Sequence, residues 1–508
     1  MFAAIDVGSS ELSMKIYEIS KKNGMREVDH IRYIIELGSD TYSKGMISFE
    51  LVNELCDVLQ SFKLKMQEYR VDEYLAYASS AMREAGNCEL IIDQVRVKTG
   101  LEVQIIDNSR QHFLVLKSLA SQMTRFEELI QEGAAIVDMG SGSLQVSVYE
   151  KGRLSLTQNI RLGSLRIREI LSTLEGETTS LVNLMEDFIS NDIETFKRTV
   201  LQDREINNII AIGEEIAGIF NFINNMKNRE YVNLEQFDKI YNRILKLPAR
   251  EISSKYNVPY EVATILPPTL IVYKNIIKET NAHSIWVSST SLCDGIAVDY
   301  TEIKEGVGLE HSFDEDIVCL CRSIARKYRS NIDHIENVEK LALVVFDALK
   351  KKAGLSSRDR LLLQLACILH DCGKFVDMKA RTQVTYQLIM ATELVGISVA
   401  EKRIVAKVVR YNSSDTIPSF SEMHYEIDKK SYMTMLKLSA ILRLANGMDR
   451  SHKQKIQNIK VSFKNQEMII RADTIYDITL EYGLIEMRAN FIEEIFGMKP
   501  VLKQKRGV

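Results

Sequence analysis

The sequence predicts an α/β protein in which two similar lobes precede an all-α domain and a small α+β tail. The first reason is a repeated motif, since A-A-I-D-V-G-S-S at residues 3–10 returns as A-A-I-V-D-M-G-S-G-S at residues 134–143. The second reason is that strand and helix patterns alternate up to about residue 305, where the strand signals end. At 508 residues the chain is too long for one core. We expect domains at 1–130, 131–303, 304–453 and 454–508.

Each copy of the motif has the pattern of a β-hairpin. An apolar run ends in an aspartate, Asp6 or Asp138, and small residues then lead into alternating apolar residues. Glycine and serine at the turn leave backbone N–H groups unobstructed, so the loop can hold phosphate oxygens. An aspartate at the strand end can bind a divalent cation or orient a water molecule. The repeat therefore predicts two homologous half-domains that face each other across a phosphate-handling cleft.

The other elements of the two halves follow from hydrophobic period and from capping residues. Apolar residues at helical spacing, with Ser48 as N-cap, predict a helix from Ser48 to Tyr69. In the second half, Pro267-Pro268 predicts the start of a helix. Further strands are predicted at 32–37, 73–78, 102–106, 144–150, 153–161, 208–212 and 284–288, and further helices at 88–99, 108–123 and 164–172.

The last 200 or so residues change character twice. Amphipathic helices are predicted at 311–352, 357–371, 384–394, 400–409 and 429–448, which indicates a separate all-α domain. The tail returns to strand-like sequence, with strands predicted at 459–463, 467–472 and 478–481 and a helix at 486–496.

Composition limits the class of protein and the partners that it can bind. An apolar fraction of 45% with 26% charged residues is typical of a soluble globular protein, and the net charge of -4 gives no general attraction to nucleic acid or membranes. No segment approaches the roughly 18 apolar residues of a membrane helix, and the N-terminus lacks a signal-peptide pattern. Seven scattered cysteines without a C-x-x-C pair favour reduced thiols and a cytoplasmic location.

Three motifs in a fixed order make the first 300 residues resemble a known family. They are the two D-x-G-S loops, S-S-A-M-R-E-A-G-N at residues 79–87 and L-G-S-L-R at residues 162–166. This order resembles the exopolyphosphatase and guanosine-pentaphosphate phosphohydrolase family, called Ppx/GppA. The resemblance implies a two-lobed, actin-like fold. It also implies release of terminal phosphates from inorganic polyphosphate or guanosine penta- and tetraphosphate with Mg²⁺ or Mn²⁺.

The resemblance also implies roles for individual residues. Asp138 matches the metal-linked aspartate of the family, Asp6 is its symmetric partner, and Arg83 stands where the family has a phosphate-binding arginine. A guanidinium suits bidentate contact with phosphate. The predicted phosphate-binding loops consist of Gly8, Ser9 and Ser10 in the first copy and Gly140, Ser141, Gly142 and Ser143 in the second.

The expected catalytic carboxylates are replaced. Where the family has two active-site glutamates, this chain has Gln111 and Gln145. An amide takes no proton near neutral pH, and losing a general base typically costs about 10²–10⁴-fold in rate. We keep Gln111, Gln145 and Asp138 as the candidate catalytic set, with His112 as a substitute base. Two functions remain open: a phosphoanhydride hydrolase, or a non-catalytic regulator that binds polyphosphate or an alarmone.

The helical domain carries a second constellation. His334 and the His370-Asp371 pair resemble the H…HD…D metal ligands of the HD phosphohydrolase superfamily. The closing ligand position falls on Asn446, with Asp449 one helical turn away. Because the ligand set is incomplete, we expect no metal here and a buried hydrogen-bond cluster instead. A homodimer is compatible with the family resemblance, although no hydrophobic stripe in the sequence demonstrates one.

Overall fold

The chain divides into two units, Met1–Ser312 and Phe313–Val508, in the computed structural model. The structure describes residues 1–20, 24–172, 174, 180–213, 216–218, 220, 230–306, 308–413 and 416–505. The strands of the first unit are β1 (Phe2–Val7), β2 (Glu11–Ser20), β3 (Gly24–Ile34), β4 (Glu73–Ala78), β5 (Val103–Ile105), β6 (Ala134–Met139), β7 (Leu144–Glu150), β8 (Arg153–Ile160), β9 (Asn208–Ile212), β10 (Tyr231–Val232) and β11 (Ser284–Ser288).

Two sheets of matching strand order organise this first unit. One sheet has the order β3-β2-β1-β4-β5, and the other has β8-β7-β6-β9-β11 with the short β10 beyond β11. In each sheet the first strand pairs antiparallel with the next strand of its hairpin and parallel with a later strand. The repeated motif therefore reflects a duplicated half-domain, and the predicted two-lobed α/β architecture is confirmed.

Helices cover the two sheets and bury the apolar faces of their strands. The described helices of the first unit are Leu37–Lys44, Phe49–Glu68, Ser80–Glu84, Cys88–Thr99, Asn108–Gln122, Phe126–Glu132, Ser164–Ser172, Leu181–Phe196, Leu234–Ile244, Ala249–Tyr256, Tyr260–Thr280 and Leu292–Glu305, with a π-helical turn at Lys197–Leu201. Separate apolar cores form around β1–β5 and around β6–β11, as two homologous lobes require.

The helix Leu292–Glu305 brings the chain back to the first lobe. Its residues pack with Phe2 and Ala4 of β1, and Lys15 forms a buried ion pair with Asp294 at 3.0 Å. A Cβ atom on Gly295 would lie 2.2 Å from the carbonyl oxygen of Leu114, so only glycine permits this helix–helix approach. The end of the second half therefore covers the sheet that the N-terminus begins.

Two predicted elements of the first unit differ from the structure. The predicted strand 32–37 is the end of the longer β3, and Leu37 begins a helix. β3 is a polar edge strand whose extent depends on pairing with β2, which apolar periodicity does not reveal. Pro267 and Pro268 lie inside the helix Tyr260–Thr280 and not at its start, because the buried apolar face of that helix continues on both sides of them.

The second unit is mostly helical and ends in a small sheet. Its helices are Phe313–Lys327, Ile332–Ala353, Ser357–Leu369, Arg381–Ala391, Val399–Tyr411, Phe420–Met423, Lys429–Met448 and Thr479–Phe496, with a 3-10 turn at Cys372–Phe375. The sheet has the order β12-β13-β14, formed by β12 (Ile459–Lys464), β13 (Glu467–Asp473) and β14 (Lys499–Lys505).

Two expectations for this unit also differ. The predicted helix 311–352 is two helices, since Arg329 has a positive φ of 48° and Asn331 caps the second helix. The predicted strand 478–481 belongs to the last helix, and the third strand is the polar segment Lys499–Lys505, which pairs parallel with β13. The helix break follows from a local turn and cap, whereas the missed strand depends on tertiary pairing that local sequence preference does not reveal.

Candidate functional site

The two Asp-x-Gly loops have the same local geometry. The amide of Gly8 donates a hydrogen bond to the carbonyl oxygen of Glu11 at 3.0 Å, and the amide of Gly140 donates to that of Ser143 at 3.0 Å. At Gly8 a Cβ atom would lie 2.7 Å from the Glu11 carbonyl oxygen, so the tight turn requires glycine. Both hairpins thus place an aspartate and a Gly-Ser turn at the same edge of their sheets.

The two loops meet face to face. The Ser10 and Ser141 hydroxyl oxygens are 2.7 Å apart, which joins the lobes directly at the turns. A Cβ atom on Gly142 would lie 2.2 Å from the hydroxyl oxygen of Tyr42 and 2.5 Å from that of Ser80. The second loop therefore packs against the first lobe, and glycine is needed at that contact.

Polar side chains of both lobes hold the second loop in position. The Arg166 guanidinium donates to the carbonyl oxygen of Gly142 at 2.7 Å and to the Glu84 carboxylate of the other lobe at 2.7 and 2.9 Å. It also lies over the ring of Tyr42, 4.1 Å from its centroid. A second ion pair between the lobes joins Arg168 and Glu36 at 2.7 Å. These contacts stabilise a closed arrangement of the cleft.

Below the loops lies a cavity of about 190 Å³. Its wall includes almost the whole predicted cleft set, namely Asp6, Gly8, Ser9, Ser10, Gln111, Asp138, Gly140, Ser141, Gly142, Ser143 and Gln145. The hydroxyl of Ser9 is bound within the first lobe, where it accepts hydrogen bonds from the Tyr42 hydroxyl at 2.9 Å and from the Ala81 amide at 3.1 Å. The other predicted residues of both copies converge on one space.

Arg83 is the predicted cleft residue that does not line this cavity in the described part of the chain. Its guanidinium donates to the carbonyl oxygen of Ile106 at 2.5 Å and to the side chain of Asn108. Arg83 thereby fixes the start of the helix Asn108–Gln122, which carries Gln111. Its phosphate-binding role stays a prediction.

The cavity is acidic. Among the described residues that line it, Asp6, Glu11 and Asp138 are carboxylates, and none is lysine or arginine. The Oδ1 atom of Asp6 is buried without a hydrogen-bond partner there. Burial, followed by the charges of Glu11 and Asp138, raises the pKa of Asp6 to about 7. An ionised Asp6 therefore needs a counter-charge that the surrounding protein does not supply.

The donor set fits a hard divalent cation. Mg²⁺ and Mn²⁺ prefer carboxylate oxygens and retain water ligands, so a site with few protein ligands and room for phosphate oxygens suits them. The orphaned oxygen of Asp6 beside Asp138 is the feature that such an ion would satisfy. Without a cation, a phosphate chain entering this cavity would meet like charge.

The two glutamines occupy different environments. Gln145 is 5% exposed, and its amide donates to the hydroxyl of Thr157 at 2.9 Å while its carbonyl accepts from Asn159 at 2.8 Å. Gln111 lies half-buried on the cavity wall. The position expected to carry a glutamate in β7 thus holds an amide whose two ends both have partners.

His112 does not have the properties of a substitute base. It is 2% exposed, its Nε2 atom is 2.7 Å from the Ser147 hydroxyl, and burial lowers the pKa of His112 to about 3. An imidazole with that pKa stays neutral and takes up protons weakly near neutral pH.

Glu11 is a cavity residue that the sequence analysis missed. It begins β2 directly after the first loop, and its carboxylate accepts from the Arg32 Nε at 3.0 Å. Its position directly after the Gly-Ser turn is the signal in the sequence that could have identified it, since the repeated motif itself ends at Ser10.

The second predicted constellation also assembles. His334 and His370 place their Nε2 atoms 3.3 Å apart, and the donor atoms of His334, Asp371 and His452 lie within 4.8 Å of one another. Asn446, where the resemblance puts the closing ligand, donates a hydrogen bond to Asn412, whereas Asp449 contacts His334 at 2.8 Å. His452 was not foreseen, since it follows the motif in a loop.

None of the described helices is long and apolar enough to cross a membrane. None of the seven cysteines, all of which lie in the described part of the chain, forms a disulfide bond.

Comparison with known proteins adds family information to this geometry. The model of the Ppx/GppA phosphatase family matches residues 15–303, more than half of the chain, and the model of domain III of Ppx/GppA phosphatases matches residues 320–487. A Ppx/GppA family member from Aquifex aeolicus is 19% identical, with a TM-score of 0.50, over 60% of this chain and 99% of its own. An exopolyphosphatase from Cytophaga hutchinsonii is 17% identical, with a TM-score of 0.53, over 61% and 99%. At these identities the structures support the fold, and the two-lobed α/β prediction is confirmed.

Proposed function

The chain belongs to the Ppx/GppA phosphatase family, and we propose that its cleft binds the end of a phosphoanhydride chain with a divalent cation and releases the terminal phosphate. Inorganic polyphosphate is the first substrate class, and guanosine penta- or tetraphosphate is the second. The exopolyphosphatase among the similar structures supports this order. The observation that carries the proposal is the buried, partnerless oxygen of Asp6 in a cavity walled by two Gly-Ser loops.

Asp6 and Asp138 are the residues that would hold Mg²⁺ or Mn²⁺. When bound, such an ion supplies positive charge that offsets the charge of the phosphate oxygens. The turns of both loops present small residues to the same space, so phosphate oxygens can approach the backbone closely. Arg166 keeps the second turn in place through its bond to the Gly142 carbonyl and is a positioning residue in this scheme.

The attacking water needs a proton acceptor. With Asp6 and Asp138 engaged by the cation, Glu11 is the remaining carboxylate among the described residues on the cavity wall. Its carboxylate accepts a hydrogen bond from the Arg32 Nε at 3.0 Å, which holds it at the wall. We expect slow turnover because glutamines stand where the two catalytic glutamates are expected, with Glu11 accepting the proton and Gln111 orienting the water by a hydrogen bond.

A second function is favoured by Gln145. Its amide is held by Thr157 and Asn159, so the position serves as a fixed neutral hydrogen-bonding group. A cleft built this way would suit a regulator that binds polyphosphate or an alarmone without hydrolysing it. A homodimer stays a prediction for either function.

Phosphate release distinguishes the two functions. The native chain, a Glu11→Gln variant and a Gln111→Glu, Gln145→Glu double variant are incubated with Mg²⁺ or Mn²⁺ and long-chain polyphosphate, guanosine pentaphosphate or ATP. The hydrolase proposal predicts release by the native chain and a loss of about 10²-fold or more in Glu11→Gln. No release by the native chain, with a gain in the double variant, would contradict it and support the regulator.

A further inference from the structure

Three arginine side chains from separate elements approach one another in the second unit. Arg381 begins one of its helices, Arg450 follows the helix Lys429–Met448, and Arg488 lies in the last helix of the chain. Arg381 and Arg488 are half-buried, and Arg450 is exposed. These arginines belong to neither of the two constellations predicted from the sequence.

Arg488 lies against the helix Lys429–Met448. Its guanidinium donates a hydrogen bond to the carbonyl oxygen of Arg443 at 2.8 Å. A Cβ atom on Gly447 would lie 3.5 Å from the same guanidinium nitrogen, so Arg488 covers the bare backbone at this glycine. Arg450 follows that glycine by three residues at the end of the same helix. The charges of Arg488 and Arg450 therefore meet at one helix end.

Contacts between neighbouring helices bring Arg381 to the same place. Thr382, the residue after Arg381, accepts a hydrogen bond from the Arg410 guanidinium at 3.2 Å. Two residues beyond Arg410, the side chain of Asn412 accepts from that of Asn446 at 3.5 Å. Asn446 lies next to the glycine that Arg488 covers. A continuous series of contacts thus joins the start of one helix to the ends of two others.

The three positive charges act on one another without compensation. Burial lowers the pKa of Arg488, and the charges of Arg450 and Arg381 lower it further. The hydrogen bonds that Arg381 and Arg488 donate go to the backbone carbonyls of Met378 and Arg443, and no carboxylate pairs with any of the three arginines in the described part of the chain. Because a guanidinium stays protonated, this desolvated cluster of like charge is unfavourable until an anion binds.

The chemistry of the cluster favours a phosphate group as that anion. A guanidinium presents a planar fork of N–H donors that matches two phosphate oxygens at once, and such charge-assisted hydrogen bonds are strong. A carboxylate brings one negative charge to three cations, whereas a phosphate or diphosphate group brings several. The donors that the backbone carbonyls leave open are sufficient for several such bonds.

We propose that Arg381, Arg450 and Arg488 form an anion site in the second unit that binds a phosphate or diphosphate group. The ligand is inorganic diphosphate or the phosphate end of a nucleotide, since both present the same oxygens. All three proposed ligand residues are cations, so the site needs no divalent metal ion. In this respect it differs from the acidic cleft of the first unit.

Titration of the full-length chain with inorganic diphosphate in the presence of EDTA tests the site. The chelator removes the cation that the cleft needs, so the carboxylates there repel the ligand. Isothermal titration should show saturable binding of about one diphosphate per chain. Arg488→Gln and Arg381→Gln should each weaken binding about tenfold or more, because each removes charge-assisted hydrogen bonds.

A parallel titration with adenosine diphosphate distinguishes the two sources of the ligand. Tighter binding of the nucleotide than of inorganic diphosphate supports a nucleotide site. Equal or weaker binding of the nucleotide supports a site for the inorganic anion.

Two substitutions in the second unit serve as controls and should keep native affinity. Arg471→Gln removes an exposed arginine of β13, and His424→Ala removes an exposed ring that contacts the carbonyl oxygen of Ser421. Circular dichroism shows whether each variant is folded. Arg381→Gln decides the test if Arg488→Gln does not fold, since the Arg381 side chain loses only its 3.3 Å hydrogen bond to a carbonyl. The proposal is overturned by a native chain that shows no saturable binding, by native affinity in a folded Arg381→Gln variant, or by an equal loss in Arg471→Gln.

Discussion

Replacing Asp6 with asparagine is expected to stabilise the metal-free first unit at neutral pH. The pKa of Asp6 is raised to about 7 by burial and by the charges of Glu11 and Asp138, whereas an unfolded aspartate titrates near about 3.9. Between these values the folded state binds more protons than the unfolded state. The free energy of unfolding therefore falls as the pH rises through this window and levels off above about pH 7.

The magnitude follows from the width of the window. One pKa unit corresponds to about 1.36 kcal/mol, and about two units lie between pH 5 and the raised pKa. The stability advantage of Asp6→Asn over the native chain should therefore grow by about 3 kcal/mol from pH 5 to pH 8. Because the difference in unfolding free energy between Asp6→Asn and the native chain is measured at both pH values, effects of the substitution that do not depend on pH cancel.

The assay is urea unfolding of chelator-treated protein. Trp286 of β11 is the single tryptophan of the chain, so its fluorescence reports on the first unit. Asp40→Asn is the matched control: burial raises the pKa of Asp40, but hydrogen bonds from Lys44 and Ser48 outweigh it and leave that pKa lowered. This control should lose stability at pH 8. If the free energy of unfolding of Asp6→Asn exceeds that of the native chain by the same amount at pH 5 and pH 8, Asp6 does not have a raised pKa in the folded state.

Three further substitutions test individual contacts. Gly163→Ala would place a Cβ atom 2.2 Å from the backbone of the second loop and should destabilise the first unit by about 3 kcal/mol in urea unfolding. Gly218→Ala, which would meet none of the described atoms within 4 Å, should not. His112→Gln should keep phosphate release within about tenfold of native, since a neutral His112 takes up no proton; a loss of about 10²-fold would contradict this. Arg166→Lys should weaken polyphosphate binding several-fold in a titration, because a single ammonium group cannot donate to the Gly142 carbonyl and the Glu84 carboxylate at once as the planar guanidinium does. Native affinity in this variant would contradict a positioning role for Arg166.

The residues of the cleft could be predicted from the sequence because they lie in short local motifs. Asp6 and Asp138 each end a buried strand before a Gly-Ser turn, and that short-range pattern is sufficient to predict a hairpin and its exposed loop. The duplication then predicted that the loops face each other, and the contact between Ser10 and Ser141 agrees with it.

Long-range contacts lay beyond the sequence pattern. His452 joins His334 through stacking across a large separation in the chain, and no spacing rule connects the two. The hydrogen bonds from Arg83 to Ile106 and Asn108 likewise form only because the helix that carries Arg83 packs next to the start of the helix Asn108–Gln122. The full length of β3 and the whole of β14 escaped prediction because sheet pairing, and not apolar alternation, determines these polar edge segments.

Equilibrium binding of polyphosphate tests whether the cleft holds a phosphate chain with a cation, and it does so whether or not hydrolysis occurs. Isothermal titration with a chain-length-defined polyphosphate is carried out with and without Mg²⁺ on the native chain, Asp138→Asn and the control His424→Ala. We expect Mg²⁺-dependent binding by the native chain and the control, and at least tenfold weaker binding by Asp138→Asn. Equal affinity in Asp138→Asn, or binding that ignores Mg²⁺, would contradict it.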